Sequence, residues 1–480
     1  MENKKAYLIL ALIFLASFAL NLYALTYKPL HEEAYFSLRY AGHIKENFTP
    51  LSRDELSYGG RSIEEPFLFY YLLSASSYIH PVSAKVIAAL IVASLVLIIF
   101  FISNSFVSKG LSLIPALFAA FTSVLFKINI ISTYIFGFLL LFLLIYSFGR
   151  INDKKFLYLF LALSLILPLS SFLSIFYIFA VLVFILIAAI EGKKLSALEW
   201  EASIFSVFVN VLVLLLLFRN SLLTYGPSFI WQNIPSEILA EYFRTFAPIE
   251  AIGNIGIASL VIGTIGFVFS FRDKSSLMLS SFFIATMTFL WLKLIPFNIG
   301  LILLSLSLAV LSSISLKVFS PYIKETKFSK FRNIIVIVIF VVAILSSAIP
   351  AVLALVNYES EISDVSFKAI SSLEKSNITI LATYEFGHAI TFTGNRNVAD
   401  SLFLLAPQAE NRIKDIRIAY TSQSETPVLE IMRRYGVDYI ILDEYTREKF
   451  KIEELSYLSD KKCFSNVYNE EKVKIYRFKC

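Results

Sequence analysis

The sequence predicts a mainly α-helical membrane protein: a bundle of about eleven transmembrane helices followed by a smaller α/β domain. Three observations carry that expectation. The 480 residues are 57% hydrophobic and only 16% charged, where a soluble domain carries about a quarter. Mean hydropathy is +0.73. Apolar stretches of spanning length recur from Ala6 to about Val356 and then stop, dividing the chain into a membrane part, 1–356, and a polar part, 357–480.

The first apolar run follows Lys4 and Lys5 and has no small-residue cleavage site after it, so it reads as a retained anchor. Further spans are expected near 83–106, 110–126, 131–149, 155–171, 173–191, 199–218, 249–271, 275–293, 297–316 and 333–356. The segment Pro66 to His80 is apolar, but as a helix it reaches only about 22 Å against a core of about 30 Å. Loop charge arbitrates. With eleven spans, one set of loops holds Lys109; Arg150, Lys154 and Lys155; Lys193 and Lys194; Arg272 and Lys274; and Lys317, Lys324, Lys327, Lys330 and Arg332. Counted over the same stretch, after the second span, the opposite loops hold Lys127, Arg219, Arg244 and Lys293. Thirteen basic residues against four place the N-terminus in the cytoplasm, with Pro66 to His80 in the outer interface. The loops 28–82 and 219–249 and the C-terminal domain then share the external side of a multi-pass cell-membrane protein.

In the first of these loops Ala34, Leu38, Ala41, Ile44 and Phe48 recur at helical spacing, as in an amphipathic helix on the membrane surface. Glu32, Arg39 and His43 form one polar stripe and Glu33, Ser37 and Tyr40 the next. The two glutamates read either as charges favoured by the helix N-terminus or as carboxylates serving chemistry above the bilayer. The loop from Arg219 carries Tyr225, Phe229, Trp231, Tyr242, Phe243 and Phe246, as a lid or an interfacial aromatic belt would.

The C-terminal domain alternates strand-like ITILATY, helix-like TPVLEIMRRYG and strand-like VDYIILDEY, and closes on two alternating strands about an NEEK turn. Cys463 and Cys480 nearly face each other across that hairpin, which predicts a disulfide in an oxidising external compartment. Asn47 and Asn377 stand in N-glycosylation sequons on the same side. Nucleic acid is not an expected partner, and no CxxC or Cys/His zinc spacing is available.

The runs HEEAYFSLRYAGHI, GGR at Gly59 to Arg61, and EPFLFYYLL from Glu65 together resemble the first external loop of the GT-C superfamily of polyprenyl-phosphate-dependent glycosyltransferases. That superfamily includes protein O-mannosyltransferases, lipid A aminoarabinose transferases and the catalytic subunit of oligosaccharyltransferase. The resemblance implies a GT-C-like bundle, with Glu32 where the family's Asp usually stands and Glu33 at its Glu; which of the two acts as base stays open. It also implies sugar transfer, with inversion, from a polyprenyl-phosphate donor to a glycan, lipid or protein acceptor. Such chemistry asks for cations at the leaving phosphate, for which Arg61, Arg219 and Arg244 rank above Lys127 and Lys293. Headgroup snorkelling is the alternative role for each.

Thr383 to Gly387 stand where oligosaccharyltransferases carry an acceptor-binding WWDYG motif, but both tryptophans are missing. His388 and Arg396, with Glu385, are possible acceptor contacts or simply strand-end residues. The next external loop, FKINIISTYIF, has no carboxylate, so a divalent metal would need Glu32, Glu33, Asp54 and Glu55, and no required cofactor is expected. Two other classes compete with the enzyme: a transporter or lipid flippase, and a membrane-anchored scaffold with an external binding domain.

Overall fold

The computed structural model describes residues 2–80, 82–128, 131–230, 234–325, 331–373, 377–459, 461–470 and 472–480. Trp231, Lys327 and Lys330 lie outside the described residues. Every segment expected to span is helical. After α1 (Glu2–Tyr27) and the first loop come α4 (Ser83–Ser103), α5 (Lys109–Ala120), α6 (Ser123–Ile128), α7 (Thr133–Phe148), α8 (Lys154–Ser170), α9 (Leu173–Ile190) and α10 (Ala197–Leu217). The first loop itself holds α2 (Glu32–Asn47), the two-residue strands β1 (Arg53–Asp54) and β2 (Arg61–Ser62), and α3 (Leu68–Ser77).

Composition and length alone qualify seven helical segments to cross a membrane among the described residues, and eight if one bent pair is a single span. The eleven expected spans are therefore not all reproduced as separate membrane-length helices. Helix α7 is apolar but has only 16 residues, and α8 has 17 with Lys154, Lys155 and Pro168 inside it. The bent pair is α13 (Pro248–Ile255) and α14 (Ile257–Ser270), which meet at 105°. Gly256 makes that corner at φ 88°, and a Cβ there would stand 2.6 Å from the Ser346 carbonyl oxygen, so the turn admits only glycine.

Between α10 and α13 run α11 (Arg219–Tyr225) and α12 (Ser236–Tyr242); after α14 come α15 (Lys274–Trp291), α16 (Phe297–Glu325) and α17 (Arg332–Val356). Helix α16 is the central post, with its span window wholly buried. Gly263 of α14 lets that helix approach closely: a Cβ there would lie 2.7 Å from the Leu308 carbonyl oxygen, the small-residue device of lipid-embedded packing.

The C-terminal unit starts with α18 (Asp364–Ser371) and forms one five-stranded sheet of order β4-β3-β5-β7-β6. Strands β3 (Thr379–Leu381), β4 (Arg396–Asn397) and β5 (Tyr439–Leu442) pair in parallel, while β6 (Phe464–Glu470) and β7 (Val473–Phe478) add an antiparallel hairpin. Strand β5 is buried at all four positions, as a central parallel strand requires. Helix α19 (Gly387–Phe392) follows β3, and α20 (Ala409–Thr421), α21 (Glu425–Tyr435) and α22 (Glu444–Phe450) complete the unit. Cys463 and Cys480 are bonded with Cα atoms 4.9 Å apart, closing the hairpin whose register pairs Phe464 with Phe478.

Candidate active site

Helix α2 departs from the simple surface helix its spacing suggests. Its apolar stripe is buried at Ala34, Ala41 and Ile44, but so are Glu32, Ser37 and Tyr40 on the polar stripes. The reason is a second layer. The C-terminal unit covers α2, stacking Phe367 on Tyr35 at 5.0 Å and placing the His388 ring 5.1 Å from Phe36. Only the tail, where Phe48 is 73% exposed, keeps an open face.

Two polar seams hold this cover. In the first, Asp400 is fully buried and accepts from Ser57 Oγ at 2.6 Å and Asn397 Nδ2 at 3.0 Å, with the Arg61 guanidinium at 3.2 Å. The Tyr58 hydroxyl donates to the Asp400 carbonyl at 2.5 Å, and the Asn397 amide donates to the Leu56 carbonyl at 2.9 Å. Burial alone would raise the Asp400 pKa, but Arg61 and the hydrogen bonds from Ser57 and Asn397 outweigh it and hold the carboxyl below its usual range. An ion pair between Arg39 and Asp54 braces the loop beneath.

The second seam is α12. Glu241 accepts from the Tyr384 hydroxyl, from Tyr445 at 3.2 Å and from Lys449 at 2.9 Å, and Lys449 also pairs with the buried Glu385. Ser236 donates to Glu410 through its amide and hydroxyl, each at 2.8 Å. The next residue along from Glu241 reaches the other way: the Tyr242 hydroxyl donates to Glu32 Oε1 at 2.6 Å.

Between these layers lies a cavity of about 350 Å³. Its polar lining is Glu32, Glu33, Glu65, Ser132, His388 and Ser401, and its apolar lining includes Phe172 and Phe176 at the start of α9, Phe289 near the end of α15, and Leu294. Glu32 is 1% exposed, and its Oε2 has no hydrogen-bond partner among the described residues. Burial raises the Glu32 pKa well above a normal glutamate, opposed by the Tyr242 hydrogen bond and by the nearby Ser401 hydroxyl. Burial also raises Glu33 and, with the Glu33 charge added, lifts Glu65 to about 8. His388 is pushed the opposite way, to about 4 by burial, so its imidazole is neutral at pH 7.

No protein-family model and no curated protein matches this sequence. Solved structures do match its shape. Residues covering 90% of the chain superpose on 69% of the oligosaccharyltransferase of Archaeoglobus fulgidus, tethered with an acceptor peptide containing the NVT sequon, at 14% identity and a TM-score of 0.63. ArnT from Cupriavidus metallidurans bound to undecaprenyl phosphate matches over 97% of both chains, at 10% identity and a TM-score of 0.61. The chain has the GT-C fold. A third GT-C structure, the mycobacterial arabinofuranosyltransferase AftD, is matched by 98% of this chain over 40% of its own length, at 11% identity and a TM-score of 0.52.

Within this GT-C fold, Glu32, Glu33 and His388 come together at one cavity, and the other sequence candidates do not. No lysine or arginine is among the described lining residues. Arg61, expected at a leaving phosphate, is instead buried against Asp400, because the C-terminal unit encloses it. Arg219 is exposed at the start of α11, Lys127 exposed at the end of α6, and Arg396 exposed on strand β4. Arg244 pairs with Glu250 at 2.6 Å and lies over the Phe297 ring at 4.3 Å, beside the Leu294 to Pro296 stretch that lines the cavity. Among the described residues no three His, Cys, Asp or Glu side chains converge as ligands of one metal ion.

Sequence reasoning left three contributors without a role. Glu65 stands beside Pro66 in a motif read for its helix. Tyr242 is one aromatic among six in its loop, and Asp400 carries no motif of its own. Only the fold, which brings Tyr242 to Glu32 and Asp400 to Arg61, distinguishes them.

Proposed function

We propose that this protein transfers a sugar from a polyprenyl-phosphate donor to an acceptor hydroxyl or amide, with Glu32 as the base. The observation that carries this reading is the buried Glu32 carboxylate, one oxygen held by Tyr242 and the other without a partner among the described residues, in the wall of a cavity lined by both carboxylates and aromatic side chains. A lipid-linked sugar carries both chemistries: its prenyl chain suits the aromatic lining from α9 and α15, and its sugar the carboxylates.

In this scheme the acceptor gives its proton to Glu32. The acceptor atom forms a bond to the anomeric carbon as the bond from that carbon to the phosphate oxygen breaks, and the electron pair leaves with the phosphate. Attack from the opposite face inverts the centre. Desolvation makes Glu32 a stronger base than a carboxylate in water, while the Tyr242 hydrogen bond favours its ionised form. Tyr242 occupies the lone pair that an acceptor would otherwise approach, so the second oxygen of Glu32 is the one assigned to the acceptor. The leaving phosphate needs a cation, and Arg244 is the arginine beside the lining, with Lys293 next to Leu294. The acidic, polar side faces outward in this reading, in keeping with the loop charge, and the N-terminus lies in the cytoplasm.

The test is transfer from a panel of polyprenyl-phosphate monosaccharides by purified protein in nanodiscs, alongside Glu32→Gln and Glu33→Gln. Loss of turnover with retained donor binding in Glu32→Gln supports the assignment. Full turnover in the double variant removes the first loop from the mechanism.

A further inference from the structure

A second cavity, of about 420 Å³, opens at the far end of the same helices. Helix α7 contributes Thr133 to the candidate active site and Phe148 to this one, about 22 Å apart along the helix. Helix α9 likewise gives Phe176 to one and Phe184 to the other, and α15 gives Phe289 and then Met278. The two chambers therefore sit at opposite ends of the bundle and share no lining residue.

The second cavity has its own polarity. Its deep wall is Ile102, Phe106, Ile145, Phe184 and Leu279; its rim is Ser105, Arg150, Asn152, Glu199, Lys274 and Ser275. The Arg150 guanidinium lies over the Tyr146 ring at 4.5 Å and the Phe156 ring at 5.3 Å. Stacking fixes its plane and leaves its N–H edge without a hydrogen bond or ion pair among the described residues. Lys274 is paired with Glu199 and opens α15, an 18-residue helix that starts at this rim with Lys274 and Ser275. The rim thus holds two cations to one anion, above an apolar chamber walled by α4, α7, α9 and α15.

We propose that this cavity binds one anionic phospholipid, with its phosphate against Arg150, Lys274 and the α15 N-terminus and an acyl chain in the apolar wall. Charge selects the headgroup: a basic pocket between membrane helices recruits acidic lipids, and a zwitterionic lipid would bring its own cation to the same rim. The apolar wall selects an amphiphile over a free anion, since inorganic phosphate would leave that surface unfilled. The site is independent of the sugar-transfer reading, because no residue of one serves the other.

The experiment is native mass spectrometry of the full chain released from nanodiscs holding equal phosphatidylglycerol and phosphatidylcholine. A single retained phosphatidylglycerol is expected, weakened about tenfold in Arg150→Gln/Lys274→Gln and unaffected in Lys154→Gln/Lys155→Gln, whose lysines do not line the cavity. Met278→Trp, which fills the chamber without changing charge, is also expected to lose it, so the proposal does not depend on one variant folding. Equal retention of the two lipids, equal loss in the Lys154/Lys155 variant, or displacement by millimolar inorganic phosphate would each overturn the proposal. The last outcome would reveal a site for the anion alone.

Discussion

Tyr242→Phe tests the site most directly, because it removes one atom. The phenol donates to Glu32 Oε1 at 2.6 Å in a setting sealed from water, and it stabilises the ionised carboxylate over the neutral acid. A hydrogen bond to a charged group is worth about 1.5 to 3 kcal/mol, and 1.36 kcal/mol is one pKa unit. Its loss should raise the Glu32 pKa by about 1 to 2 units. The sign follows from the role. A base acts ionised, so activity falls as pH drops through its pKa, and the variant's acid limb should move to higher pH by that amount. The assay is the pH dependence of kcat/KM for sugar transfer, which reports the free enzyme. Below the limb the variant should be about 10- to 100-fold slower than the parent; above it the two should converge. An unshifted limb with a uniformly lowered rate would refute the coupling and reduce Tyr242 to a packing residue.

Glu32→Gln should lower kcat by about 10² to 10⁴, with donor binding retained in a filter or fluorescence titration. Asp400→Asn leaves Arg61 buried without its counter-charge and should cost about 3 to 5 kcal/mol, read as a lower denaturation midpoint and faster proteolysis between the membrane part and the C-terminal unit. The Asp400→Leu/Arg61→Met pair should recover most of that loss, since neither charge is then stranded. Glu65 has a folded pKa near 8, raised by burial and by Glu33. Its contribution to stability is therefore full below the unfolded glutamate value and lost as pH rises toward 8. Thermal midpoints measured from pH 5 to 9 should fall in the parent and flatten in Glu65→Gln. Reducing the Cys463–Cys480 bond, which spans 17 residues, should cost about 3 kcal/mol; mass analysis with alkylation before and after reductant reports whether the bond is present.

How much of this was legible in the sequence depends on the range of the interactions. Helices were readable wherever apolar runs gave a local signal, as from Ser83 to Ser103, and so was the parallel core strand at Tyr439 to Leu442. Span counting was less secure because α13 and α14 meet at a glycine whose need arises from Ser346, 90 residues away in the chain. The glutamates at positions 32 and 33 could be picked out from their place at a helix start. Arg61 could not be assigned correctly, since a lone arginine beside a turn looks alike whether it will meet a lipid phosphate or a buried aspartate 339 residues later. The same limit hid Tyr242, whose partner stands 210 residues earlier.

Those separations bear on how the protein comes into being. The cavity's three carboxylates come from residues 32 to 65, and residues 388 to 404 complete its wall. During synthesis the first loop therefore leaves the ribosome long before Asp400 exists to pair with Arg61. Until then a guanidinium and three carboxylates stand open to water, where they are fully solvated and the glutamates keep ordinary acidities. Under the proposed function, the buried base is thus assembled only when the last domain docks. A nascent chain halted short of residue 400 should carry every helix of the bundle and still be chemically silent.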